Sequence, residues 1–290
     1  MIIEQVSSRN RSKISILANG PLFNSLETYL DLLREAKISE AEISFGQMID
    51  SNSDPYFVNE LLVDRNLTLS VVSYLIQRTK PWLETLHEVK CLSRLIDVCR
   101  TPLLNMYIVP SSLSSEEDTE LLLHLIESFK ESISNSSLVI GIENIAGASP
   151  SYEFGNPALI VNFILKNKLD KVGLTWDPLN EVISFGQLQS RENLEQLLPY
   201  LLHLHCKNIV QCSSLCVPGH CGKVWQTASG FLRSYRWWDG DFDLAALLRK
   251  IYSLGYEGGT SLELVASVEE ALRGVSLLRD LQIKSHGIKS

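Results

Sequence analysis

Short runs rich in β-branched and aromatic residues alternate with longer amphipathic runs almost from one end of this chain to the other. That alternation restricts the fold more than any other feature of the sequence. The strand-like runs are Ser12–Ala18, Ala41–Phe45, Leu67–Leu75, Leu103–Val109, Leu138–Glu143, Val172–Asp177, Leu202–Lys207 and Ser261–Val265. Helical runs are expected over Ser25–Ala36, Pro55–Asp64, Trp82–Cys99, Ser115–Ile133, Pro157–Lys166, Glu192–Leu198, Asp243–Leu254 and Val268–Leu281. Eight strand–helix pairs in succession predict an α/β fold, a (β/α)8 barrel of parallel strands. The competing doubly wound open sheet calls for a glycine-rich phosphate loop after the first strand, and Asn19-Gly20-Pro21 is not one. No Pro/Ser-rich linker or low-complexity run interrupts the pattern, so residues 1–290 are expected to form a single domain. Its one irregular stretch falls between strand seven and the next helix, over 208–240. A loop of that length reads as an insertion or lid.

The net charge of −8 and pI near 5.3 argue against a nucleic-acid partner, which needs a basic footprint. No run is long and apolar enough to span a bilayer, and Met1–Lys13 lacks the apolar core of a secretory signal, so the expected location is the cytoplasm. Six cysteines in 290 residues do not make a disulfide framework. Cys212, Cys216 and Cys221 cluster with His220, but without the paired spacing of a zinc knuckle, so they read as ordinary loop cysteines.

Side chains alternate between the faces of a strand, so His203, His205 and Lys207 share one side of the seventh run. Leu202, Leu204 and Cys206 share the other, which is apolar enough to pack under helices. In a barrel, chemistry sits at the C-terminal ends of the strands. The same alternation puts Glu143 at the inward end of strand five, Asp177 at that of strand six and Glu263 at that of strand eight. Four adjacent strands thus aim Glu143, Asp177, His205 and Glu263 at one point. Three converging carboxylates repel one another unless a cation neutralises them. With one imidazole they form a hard, oxygen-rich set suited to Mn²⁺, Mg²⁺ or Co²⁺, with Zn²⁺ also able to bind.

Five segments carry a wider resemblance: Ile142-Glu143-Asn144, Asp177-Pro178-Leu179-Asn180, His203-Leu204-His205-Cys206-Lys207, Gly240-Asp241-Phe242-Asp243, and Gly255-Tyr256-Glu257-Gly258 running into Ser261-Leu262-Glu263. In this order and spacing, over most of the chain, they resemble the xylose isomerase-like TIM-barrel superfamily of sugar phosphate isomerases and epimerases. The likeness to its ketose 3-epimerases implies that Glu143, Asp177, His205 and Glu263 are the metal ligands and that Glu143 and Glu263 are the catalytic acid and base. One glutamate removes a proton beside the carbonyl, the metal-bound enediolate forms, and the other returns a proton. The implied function is a divalent-metal-dependent isomerase or epimerase of a sugar or related polyhydroxy carbonyl compound.

The chain departs from that pattern in two places. Asn180 stands where many relatives have a histidine, and Gln211 stands where a substrate-holding arginine is common. Arg236, from the insertion, is a candidate replacement for that arginine. Lys207, Asn180, Glu42, His203 and Trp237 complete the candidate substrate contacts. For each there is a plainer reading: a buried salt bridge for Glu42, with Lys207 as its partner, support beneath His205 for His203, a turn cap for Asn180, and an anchor of the insertion to the barrel or to a second subunit for Trp237. Only six histidines and an acidic pI speak against a trinuclear zinc nuclease. Two alternatives stay open: a metal-dependent dehydratase or C–C lyase on the same scaffold, and a non-catalytic ligand-binding barrel. The expected partner is a small polyhydroxylated molecule, with no nucleic acid and no membrane, and a homodimer is left open.

Overall fold

The computed structural model describes residues 13–17, 25–46, 49–108, 115–135, 137–148, 152–212, 224–227, 230–263, 265 and 267–286. The first half of the chain runs β1 (Ile14–Ile16), α1 (Leu26–Glu35), β2 (Glu40–Phe45), α2 (Pro55–Val63), β3 (Thr68–Ile76), α3 (Trp82–Cys99), β4 (Leu103–Ile108), α4 (Ser115–Ser132) and β5 (Val139–Glu143). The second runs α5 (Pro157–Lys166), β6 (Val172–Trp176), α6 (Pro178–Phe185), α7 (Leu194–Leu197), β7 (Leu201–Cys206), β8 (Asn208–Cys212), β9 (Val224–Thr227), β10 (Gly230–Tyr235), α8 (Leu244–Ser253), β11 (Gly259–Leu262) and α9 (Val268–His286). Eight parallel strands form one sheet in the order β1-β11-β7-β6-β5-β4-β3-β2. A parallel bridge between Leu17 and Glu42 brings the two ends of that order together, giving the (β/α)8 barrel. No helix among the described residues is long and apolar enough to cross a membrane.

The two faces of the strands have opposite chemistry. Outward residues such as Leu104, Met106, Leu174 and Trp176 are fully buried beneath the helices. Each such burial is worth roughly 1.5–3 kcal/mol, so the layer between sheet and helices is where the fold gains most of its stability. The inward face instead carries Ser15, Glu42, Ser73, Asn105, Thr175, His203, His205 and Ser261, all buried. Those polar groups must satisfy one another, and the register lets them: Ser73 lies opposite Asn105, and Ser261 opposite both Ser15 and His205. Three helices begin on an Asp-Pro or Asn-Pro pair. Asp54, Asn156 and Asp177 each accept a backbone N–H in the first turn, and the following proline occupies a position whose N–H has no helical partner.

Two expectations are corrected. The helix after strand six is not Glu192–Leu198 but α6, which starts directly after Asp177; the region of the expected helix holds the one-turn α7 flanked by 3-10 turns. The Asp-Pro start signal outweighs the apolar pattern further on. The second correction concerns 208–240, whose described residues are largely regular: β8, β10 and β9 pair in that order as a three-stranded antiparallel sheet. Asn208 clasps its base, donating from Nδ2 to the Trp237 and Phe242 carbonyls at 3.0 and 2.8 Å. A side chain at Gly240 would collide with Asn208, its Cβ falling 2.2 Å from Asn208 Cγ. Cys216, Cys221 and His220 lie outside the described residues, as does the side chain of Cys212.

Gly173 shows how tightly β6 and β7 approach: a Cβ there would stand 2.5 Å from the Tyr200 carbonyl oxygen, a backbone atom that cannot turn aside. Gly173→Ala is therefore expected to lower stability by about 1–3 kcal/mol in urea unfolding, as overpacking does. Leu83→Ala, at a position 79% exposed, should change it by less than about 0.5 kcal/mol.

Candidate metal centre

The mouth of the barrel gathers four carboxylates and two basic groups. His205 sits between them with each ring nitrogen facing acid: Nδ1 is 3.0 Å from Glu143 Oε1 and 3.1 Å from Glu263 Oε1, and Nε2 is 3.0 Å from Glu42 Oε1. The Lys207 ammonium, a layer above, pairs with Asp177 Oδ2 and lies 3.3 Å from Glu263 Oε2. Asn105 steadies Glu143 from β4, donating to Oε2 at 2.8 Å.

Asp177 is fixed from two sides. Its Oδ1 caps α6, accepting from the Leu179 and Asn180 amides at 2.9 and 3.2 Å. Its backbone is bracketed by Asn144, whose Nδ2 donates to the Asp177 carbonyl at 2.9 Å and whose Oδ1 accepts from the Asp177 amide at 2.8 Å. Asn180 Nδ2 donates to the Asn144 carbonyl at 2.9 Å. The two asparagines therefore lock the ends of β5 and β6 together and leave Asp177 Oδ2 turned into the mouth.

Charge is out of balance in this cluster. Burial by itself raises every carboxyl pKa and lowers that of a base. At Glu42, His205 and His203 overcome burial and hold the carboxyl well below its usual range. At Glu263 burial is likewise outweighed, by Lys207 and His205, and the pKa falls to about 2. At Asp177 burial prevails over Lys207, with Glu263 and Glu143 adding to it, and the pKa is pushed up to about 6. Burial lowers His205 too, but Glu143 and Glu42 reverse this and raise it well above the usual imidazole value. Lys207 is raised as well, Asp177 and Glu263 outweighing burial. His203 is lowered, burial being the main cause. Two cations cannot serve four carboxylates, and the shortfall falls on Asp177.

The donor set itself fits a metal ion. One ligand atom each from Glu143, His205 and Glu263 lies within 4.8 Å of the others. Asp177 Oδ2, freed from capping, faces the same mouth. Oxygen donors with one imidazole suit a hard divalent cation, whose charge would match the deficit.

The other sequence candidates are placed as follows. Glu42 and His203 lie beneath the mouth: Glu42 is fully buried, and the His203 ring stands edge-to-face below His205 with centroids 5.3 Å apart. The buried salt bridge expected of Glu42 forms with the two histidines, not with Lys207. Asn180 and Lys207 are at the mouth. Arg236 is engaged elsewhere: it pairs with Glu270 of α9 at 2.8 Å and stacks over Tyr235 and Trp238. Trp237 is buried edge-to-face against Trp238, which in turn packs on Gly274 of α9. These contacts tie the three-stranded sheet to the outer helix. Sequence reasoning missed Asn105 and Tyr107. Tyr107 sits inward on β4, its hydroxyl pKa pushed up to about 12, mainly by burial and then by Glu143. The alternation that exposed strands five to eight would have found both on strand four.

No protein-family model and no curated protein matches the sequence. Solved structures do match the fold. A xylose isomerase-like TIM barrel protein from Mycobacterium smegmatis in complex with magnesium is 14% identical, with a TM-score of 0.66 over 94% of this chain and 96% of that one. The 3-keto-D-glucoside 4-epimerase of E. coli is 13% identical, with a TM-score of 0.65 over 93% and 100%. A probable 3-DHS dehydratase from Bacillus anthracis is 14% identical, with a TM-score of 0.61 over 96% and 100%. The likeness establishes the architecture: the chain is folded as a (β/α)8 TIM barrel, as these proteins are.

Breaking a buried ion pair from one side leaves an uncompensated charge. Lys207→Met is therefore expected to lower stability by about 3–5 kcal/mol in urea unfolding with EDTA present. The double variant Lys207→Met with Asp177→Asn should regain a large part of that, because the amide still caps α6. A loss below about 1 kcal/mol in the single variant would show that Lys207 does not hold this pair.

Proposed function

We propose that this protein is a divalent-metal-dependent isomerase or epimerase acting on a sugar or a related polyhydroxy carbonyl compound. The observation that carries the reading is the facing of Glu143 and Glu263 across His205 Nδ1, their oxygens within 4.8 Å of each other. Glu143, Asp177, His205 and Glu263 are the proposed ligands, for Mn²⁺, Mg²⁺ or Co²⁺, with Zn²⁺ also accommodated. The magnesium-bound barrel of the same fold supports this choice. When bound, such an ion polarises the substrate carbonyl and acidifies the adjacent C–H.

The chain's own groups supply the remaining work. A carboxylate on one side of the substrate carbon takes the proton, and the one opposite returns a proton to the other face, which inverts or relocates the centre. Glu143 is held for this by Asn105, and Glu263 by Lys207. The Lys207 ammonium, above His205, is the group proposed to hold a substrate oxygen, while Asn180 is committed to the Asn144 carbonyl. Burial of Glu143 and Glu263, 7% and 6% exposed, limits competing exchange with water.

A second reading keeps the site and changes the outcome. The enolate left by the same proton removal can expel a β-hydroxyl as water, making a dehydratase; removal of the proton from a β-hydroxyl instead breaks the C–C bond and releases the enolate, making a C–C lyase. The shared fold with the Bacillus anthracis protein favours keeping it. A product lighter by one water, or split in two, separates it from the first.

The test is solvent deuterium incorporation beside the carbonyl across a panel of ketopentoses and ketohexoses, read by NMR. Glu143→Gln and Glu263→Gln should each slow it by about 10²–10⁴-fold, the contribution of a positioned acid or base. EDTA should abolish it and Mn²⁺ restore it. Exchange at the wild-type rate in Glu143→Gln, from protein stripped of metal, would exclude the mechanism.

A further inference from the structure

Glu42 is fully buried, and every direction around its carboxylate is taken. Oε1 accepts from Ser73 Oγ at 2.6 Å and lies 3.0 Å from His205 Nε2. Oε2 is bonded to Ser261 Oγ and lies 3.2 Å from His203 Nε2. Ser73 itself accepts from Asn105 Nδ2 at 3.1 Å, which commits the Ser73 proton to Glu42. Outside the barrel, the Tyr29 hydroxyl accepts from the Glu42 amide at 3.1 Å. Partners on β3, β7 and β11 therefore leave the side chain no rotamer that reaches a ligand in the mouth. Glu42 reaches the mouth directly through His205, and at one further remove through Ser73 and Asn105 to Glu143.

The two nitrogens of His205 face different tasks. Nδ1 opens between Glu143 and Glu263, whereas Nε2 points down at Glu42. A cation shared by the two glutamates meets Nδ1 only as a lone pair, so the ring's remaining proton must sit on Nε2. With a cation on the Nδ1 side, the charged acceptor at hydrogen-bond distance from Nε2 holds the ring's one proton there. We infer that Glu42 is a positioning residue: by accepting from His205 Nε2 it reserves Nδ1, between Glu143 and Glu263, as the nitrogen that would face a bound cation. This deepens the metal-centre reading above and rests on it. It also gives Glu42 a task other than the substrate contact expected from sequence.

Two measurements test it. In metal-free wild-type protein carrying ¹⁵N-histidine, long-range ¹H–¹⁵N NMR should show the His205 Nε2 proton present and slow to exchange, assigned by its absence in His205→Asn. In Glu42→Gln that proton should lose its downfield shift. Mn²⁺ titration calorimetry should then give an affinity about 10–100-fold weaker for Glu42→Gln than for wild type, the usual cost of losing such a partner, with circular dichroism unchanged. An unprotonated His205 Nε2 in wild type, or Mn²⁺ affinity within twofold in Glu42→Gln, would overturn the inference. Wild-type protein that binds no Mn²⁺ would overturn the metal-centre reading instead, and the metal-free NMR result still decides the role of Glu42 independently of any variant's folding.

Discussion

A carboxylate sealed inside the barrel at its closing seam organises both the fold and the site. Glu42 belongs to β2, and its backbone bridges β2 to Leu17, just beyond the end of β1. Its oxygens collect Ser73, Ser261, His203 and His205. A buried charge is tolerated only when paired and hydrogen-bonded, so this cluster requires the strands to meet in the observed register. A one-residue slip of any of them would turn its partner outward into the apolar layer.

The same requirement propagates upward. His205, anchored from below by Glu42, meets Glu143 and Glu263; Lys207, one layer higher, meets Glu263 and Asp177. Alternate residues of one strand thus serve three layers in turn: His203 below, His205 at the level of the glutamates, Lys207 above. The capping of α6 by Asp177 Oδ1 couples this ladder to the start of the next helix. The negative charge left over at the top is what a bound cation would balance.

Much of this was legible in the sequence because its controlling periods are local. Two-residue alternation put Glu143, Asp177, His205 and Glu263 on inward faces without knowledge of the fold, and the succession of runs specified the barrel. What was not legible depends on pairing between distant strands. That Glu42 serves the histidines and Lys207 serves Asp177 follows from strand order around the barrel, which no local pattern encodes. The sheet of β8, β9 and β10 escaped notice because Cys, Pro and Gly interrupt the sequence between its strands, and because Trp237 reads equally well as a ligand contact or as an anchor. The helix after Asp177 escaped because it is only eight residues long, although the Asp-Pro pair announcing it was in plain view.

The claim on which the account stands is that Glu143, Asp177, His205 and Glu263 close around one divalent ion. Anomalous scattering from crystals soaked in Mn²⁺ tests it directly. The account predicts a single strong peak in the barrel mouth, within bonding distance of His205 Nδ1 and of an oxygen from each of the three carboxylates, with the Lys207 ammonium moved off Asp177. A mouth without a peak while Lys207 keeps its pairs, or a peak bound elsewhere in the protein, would contradict it.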